Sequence, residues 1–342
     1  VEAGLRFGLK AHGVHVVPFR LDQRIDFAHK WLSVMWRRKR KDDPALPKPQ
    51  QQDVIYHAGV GALEMALRHN VDVVLIVSAM YLHPDVIVLM KRAGLRITVL
   101  FTESPYDEEQ ELRVAALVDG CWTNERSSVP KFRAVNPRAG YLAHAWHPER
   151  HLVAARDPNI ATHDVVFIGS GFHERVAWFN SIDWTGIDLG LYGNWDAVGL
   201  SRHVKAAVRG GVVNNEQSAH LYRAAKIGLN LYRQSRGWGR GTPVILHAES
   251  LNPRAYELAA CGVFHLSECR AEVGEVFGDL VPTFTTPSEA AVLIRMWLAR
   301  ECERLRVAAQ LPACVAEASW TQRAATVIGD LQSLLAARRG AA

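Results

Sequence analysis

Short apolar, β-branched runs alternate with amphipathic stretches along most of the chain, a rhythm of strand followed by helix. In the N-terminal half the pattern predicts strands at His15–Phe19, Val73–Ser78 and Arg96–Phe101, with shorter ones near Cys121 and Tyr141. Val73–Val77 is apolar at every position, as expected of a parallel strand covered on both faces. Helical spacing marks Glu2–Ala11, Asp53–Asn70, His83–Ala93, Glu108–Val118 and Ser127–Val135, and Gly13, Gly94 and Asn136-Pro137 punctuate them. Residues 149–163 carry Pro158 and little periodicity, which predicts a linker. Alternation then resumes. Strands are expected at Asp164–Ile168, Asp188–Tyr192, Ile227–Tyr232 and Val263–Leu266. Helices are expected at His173–Ser181, Glu216–Ala225, Pro253–Cys261 and Pro287–Arg300.

This order predicts an α/β protein of two doubly wound parallel-sheet domains, 1–148 and 164–315, facing a cleft at the carboxyl ends of their strands. Residues 316–342 read as a C-terminal helix able to cross back to the N-terminal domain. Such a domain normally opens with a strand, yet the first element here is a helix. The first strand of the N-terminal domain is therefore expected to be missing.

Composition narrows the classes. With 49% hydrophobic and 22% charged residues over 342 positions, the chain can bury a sizeable core, which excludes a disordered or fibrous protein. No apolar run approaches the roughly 18 residues of a membrane span, so a soluble, cytoplasmic protein is expected. Five scattered cysteines without a C-x-x-C pair argue against a zinc ribbon or redox motif. His144, His147 and His151 lie close together, but Pro148 interrupts any helix that would align them, and no metal site is expected. The net charge of +5 gathers in Arg37, Arg38, Lys39, Arg40 and Lys41, beside Trp36 and before Asp42-Asp43. Such a run suits either a polyanionic partner or an ordinary solvated loop.

The sharpest local signal is the segment from Glu249 to Gly262. Asn252 suits an N-cap, Pro253 the first helical position and Gly262 the stop. Arg254 does not fit that scheme, because a cation in the first turn opposes the helix dipole. A bound phosphate would remove the conflict, and Glu257, one turn on, could accept hydroxyl protons from a ribose. The competing reading is a weak Arg254–Glu257 surface pair. Gly169, Ser170 and Gly171 form a turn between strand and helix whose amides could approach a diphosphate, with Arg175 in the following first turn. The third glycine of a dinucleotide fingerprint is absent. Arg233, Arg236 and Arg240, interleaved with glycines and Trp238, suit a cationic lid, and Lys226 is a further phosphate candidate. No Asp-x-Asp pair occurs, so no metal is expected to hold the phosphates. Glu103, Asp107 and His144 are the candidate bases near strand ends, although Asp107 also suits a helix start.

The pattern Asn252-Pro253-Arg254-x-x-Glu257-x-x-x-x-Gly262, followed by Phe264-x-Leu266-Ser267-Glu268, resembles the CgeB-like (spore maturation protein) branch of group 1 glycosyltransferases. Thr102–Pro105, Thr123–Glu125, Tyr141–Ala145, Val166–Gly169, Gly193–Trp195 and Tyr222–Asn230 extend the resemblance, which runs from about Val71 to Leu331. It implies a GT-B glycosyltransferase whose C-terminal domain binds a nucleotide-sugar and whose N-terminal domain binds the acceptor. No cofactor is implied beyond the nucleotide-diphosphate sugar as co-substrate. Hydroxymethylated DNA, a polysaccharide or a protein would supply the acceptor hydroxyl. The alternative is a non-catalytic nucleotide- or polyanion-binding module that kept the cleft.

Overall fold

The computed structural model describes residues 1–196, 199–235, 244–245 and 247–339, without the side chains of 337–339. Two compact units emerge. One comprises Leu9–Asn124, Ser128–Leu142 and Thr326–Ala342, the other Val1–Gly8, Glu125–Ser127 and Ala143–Ala325. Each is built on one parallel sheet.

Helices α1 (Glu2–Ala11), most of which belongs to the other unit, α2 (Leu21–Lys39) and α3 (Gln51–Arg68) precede the first strand of the four-stranded unit. Then β1 (Val74–Val77), α4 (Pro84–Arg92), β2 (Ile97–Phe101), α5 (Glu108–Ala115), β3 (Gly120–Thr123), α6 (Val129–Val135) and β4 (Ala139–Tyr141) alternate. The sheet order is β1-β2-β3-β4, and the core joins Val86, Ile87 and Met90 of α4 to Ile97, Val99 and Phe101 of β2.

Two sequence expectations fail here. His15–Phe19 is not a strand. Pro18 removes a ladder donor, and the Phe19 ring instead lies against α3 at Gly61. The apolar run at β1 is only half-buried, not covered on both faces, because among the described residues β1 pairs with β2 alone and forms the sheet edge.

The six-stranded unit runs β5 (His163–Ile168), α7 (His173–Asn180), β6 (Leu189–Tyr192), α8 (Arg202–Ala207), β7 (Val208–Gly210), α9 (Asn215–Ala224) and β8 (Ala225–Asn230). It continues through α10 (Pro253–Ala260), β9 (His265–Glu268), α11 (Ala271–Phe277), β10 (Thr283–Phe284), α12 (Pro287–Ala299), α13 (Glu301–Ala308) and α14 (Leu311–Cys314) to the start of α15 (Trp320–Arg339), which from Thr326 belongs to the four-stranded unit. Its order, β10-β9-β8-β5-β6-β7, reverses direction between β5 and β8. Ligands of open α/β sheets bind at such a switch point, outside the carboxyl ends of the strands. Phe167, Phe179, Trp184, Leu229, Leu266 and Ile294 fill the core beneath it.

Candidate functional site

The switch point carries Arg254. Asn252 caps α10 through the Ala255 amide at 3.1 Å, Pro253 opens the helix, and Gly262 at φ +67° ends it. The capped start fixes Arg254 in the first turn, from which its guanidinium reaches back over the strand ends. Nε donates to the Ile168 carbonyl at 2.8 Å. Nη1 donates to the Leu231 carbonyl at 3.0 Å and to Asn230 Oδ1 at 3.3 Å. The group lies 4.5 Å from the centre of the Phe167 ring. Among the described residues no carboxylate pairs with it, and the Arg254–Glu257 surface pair is not formed. Backbone carbonyls therefore orient a half-buried cation whose charge stays uncompensated, the setting in which an anion gains most.

Arg175 and Arg233 surround the same spot. Buried Arg175 donates to the Ser170 carbonyl at 2.9 Å and to the Leu231 carbonyl at 3.1 Å, so it shares an acceptor with Arg254. Its guanidinium lies 5.2 Å from the Phe167 and Phe172 rings, and Arg233 lies 5.1 Å from the Phe172 ring. Arg175 thus braces the 169–172 turn from inside. Arg233 also bonds the Ser235 carbonyl at 2.7 Å, and Glu174 holds Ser235 Oγ at 2.8 Å. Arg236, Trp238 and Arg240 lie outside the described residues.

The glycine turn departs from the sequence expectation. Gly169 and Gly171 spend their amides on the Tyr192 and Asn194 carbonyls, at 2.8 and 2.7 Å. They are glycines for closeness: a Cβ on Gly169 would sit 2.6 Å from Arg254 Nη2, and one on Gly193, at φ +125°, 2.5 Å from the Gly169 carbonyl oxygen. Among the described residues only Ser170, through its amide and hydroxyl, offers this turn's unspent donors.

Glu257 forms no ion pair with Arg254. Its carboxylate lies 3.9 Å from buried His151 Nε2. His151 Nδ1 accepts the His147 amide at 3.0 Å and His147 Nδ1 accepts the Glu149 amide at 3.3 Å, so both rings cap one turn. No three metal-ligating side chains converge among the described residues. Lys226 sits at the opposite, amino end of β8 and pairs with Asp164 at 2.8 Å, which removes it from the phosphate candidates. His144 is buried, and burial pushes it down to about 3, too weakly basic for proton abstraction near neutrality.

Glu103 follows β2 at its carboxyl end and is half-buried. Its backbone is held by Glu111, which accepts the Glu103 amide at 2.9 Å and the Ser104 hydroxyl. Burial pushes Glu111 up to about 7 despite these two hydrogen bonds, with Glu103 and Asp107 adding repulsion. Asp107 stands at the N-cap position of α5 without capping it through its side chain. The run Arg37–Lys41 is not a loop: Arg37, Arg38 and Lys39 form the last turn of α2, and Arg40 and Lys41 follow at once.

Sequence reasoning missed the carboxylates that carry the approach to α10. Buried Glu125 accepts the Glu249 and Ser250 amides, each at 3.1 Å, and the Ser127 hydroxyl at 2.7 Å. Glu272 accepts the Leu251 amide at 2.5 Å. Arg126 pairs with Glu249 at 2.7 Å and with Glu275.

The family model Glyco_trans_1_2, described as glycosyl transferase-like, matches residues 175–329, which span α7 to α15 and include Arg254 and Glu257. No curated protein gives a significant match. Among solved structures, sucrose-phosphate synthase from Thermosynechococcus elongatus is similar with a TM-score of 0.61 at 13% identity, over 85% of this chain and 81% of that one. The α,α-trehalose 6-phosphate synthase of Burkholderia multivorans gives 0.58 at 11% identity, over 93% and 84%. Anabaena HepE, in complex with UDP-glucose, gives 0.55 at 12% identity, over 80% and 82%. The two parallel α/β sheets are therefore those of the GT-B glycosyltransferase fold.

Proposed function

We propose that this chain transfers a sugar from a nucleotide-diphosphate donor to an acceptor hydroxyl, and that it is a member of the CgeB-like branch. The observation that carries the reading is Arg254, a carbonyl-oriented guanidinium without a carboxylate partner at the β5/β8 switch point. In this reading Arg254, Arg233 and the Ser170 donors meet the diphosphate, and Glu257 accepts the ribose hydroxyls. Arg175 and Asn252 hold the turn and the helix that present them. As the glycosidic bond to the diphosphate breaks, negative charge grows on the leaving oxygens, where Arg254 and the amino end of α10 stabilise it. Those groups supply what a divalent cation supplies elsewhere, so transfer proceeds without metal. Glu103 takes the acceptor proton. The acceptor is a polysaccharide, a protein or a hydroxymethylated DNA base.

UDP-glucose, the ligand of the HepE complex, is the first donor to try. At 100 times its Kd it should raise stability by about 2.7 kcal/mol, with or without chelator. Slow release of UDP without acceptor would mark an enzyme; binding without any turnover would mark a nucleotide-binding module. A thermal shift absent for every nucleotide-sugar tried would remove the donor-site assignment.

A further inference from the structure

Helix α2 has two apolar faces, and only one is used by the fold. Leu21, Ile25, Ala28 and Leu32 pack with Val54 and Ala58 of α3. On the outer side Phe27, Trp31 and Val34 are 57, 48 and 56% exposed. Their spacing of four and three residues aligns them as one ridge, with the Phe27 and Trp31 rings stacked 6.5 Å apart at 5°. Isolated exposed apolar residues are ordinary; three in register on one helix are not.

Charge identifies the occupant. Lys30 and Arg38 stand one turn from ridge residues, and the ridge runs directly into Arg37–Lys41. Among the described residues none of these six cations forms an ion pair, and Asp43 turns its carboxylate to the Ala45 amide at 3.1 Å. Trp36 is not part of the ridge: its indole N–H donates to the Leu46 carbonyl at 3.0 Å, and Arg40 lies 4.9 Å from its ring. An apolar ridge bordered by unpaired cations is complementary to a surface that is anionic outside and apolar just beneath. A nucleic acid would use the cations but leave Val34 without a role.

We propose that α2 is a docking helix that lies in the plane of an anionic lipid surface, with Phe27, Trp31 and Val34 entering the interface and Lys30 and Arg37–Lys41 meeting lipid phosphates. This is attachment, not insertion, since no described helix is long and apolar enough to cross a membrane. The inference needs only α2 and does not depend on the nucleotide-sugar reading.

Flotation of the full chain with vesicles tests it. Phosphatidylcholine vesicles should carry little protein, and vesicles containing phosphatidylglycerol should carry most of it at low salt. Phe27→Ser with Trp31→Ser should abolish flotation while leaving thermal unfolding unchanged, as befits exposed positions. Replacing Arg37, Arg38 and Arg40 by Ser should weaken partitioning roughly 100-fold, since each cation near the surface is worth about a factor of five. Absence of flotation with anionic vesicles would overturn the proposal. So would flotation that the ridge variant retains and a DNA oligonucleotide competes away, which would assign the cations to nucleic acid.

Discussion

The two units treat their arginines in opposite ways. In the six-stranded unit Arg175 and Arg254 fold inward onto one carbonyl, Leu231, and pack on aromatic rings. In the four-stranded unit Arg37 and Arg38 project from the end of α2 into solvent. The strand order explains part of the contrast. Reversal between β5 and β8 leaves a crevice edged by carbonyl oxygens, which can hold a guanidinium in place, whereas the order β1-β2-β3-β4 has no reversal. A fixed cation reads the shape and charge of a ligand; a mobile one supplies only a field that salt screens.

Changes to the inward region should therefore cost far more. Glu125→Ala leaves the Glu249 and Ser250 amides buried without an acceptor, and at about 1–3 kcal/mol per orphaned donor the loss should exceed about 2 kcal/mol in urea titration. Equal midpoints for variant and parent would mean that water replaces the carboxylate.

Glu111 should give an effect of comparable size, as a pH dependence. An unfolded glutamate releases its proton near 4.5 and the folded one near 7, so stability falls as pH rises between those values. The fall should be on the order of 3 kcal/mol, level above that window, and absent in Glu111→Gln. Identical slopes for the two proteins would show that Glu111 is charged throughout.

The smallest effect belongs to the outward region. Replacing Arg37, Arg38 and Arg40 by Ser should change stability by less than about 0.5 kcal/mol and leave UDP-glucose binding intact. If DNA is the acceptor, the same variant should flatten a salt dependence of slope about −0.9 per phosphate neutralised.

The sequence announces β5, β8 and α10 well, because Val165–Ile168 and Ile227–Leu229 are short apolar runs and the α10 start combines a cap with proline. It announces Arg254 for a reason that survives in the structure, a cation where the dipole favours an acid. Its anchors, Ile168 and Leu231, act through backbone carbonyls, which no residue type reveals. The Gly169 and Gly171 amides were open to misreading for the same reason. Glu111, Glu125 and Glu272 read as surface acids until folding buries them. Helix α2 hides its period because Phe27, Trp31 and Val34 fall outside the buried stripe.

Whether Arg254 reads phosphate is decided by calorimetry of UDP and uridine on the parent and on Arg254→Ala. UDP binding should weaken by about 1.5–3 kcal/mol while uridine binding hardly changes. Equal losses for both ligands would contradict it, because Arg254 would then shape the pocket without touching the diphosphate.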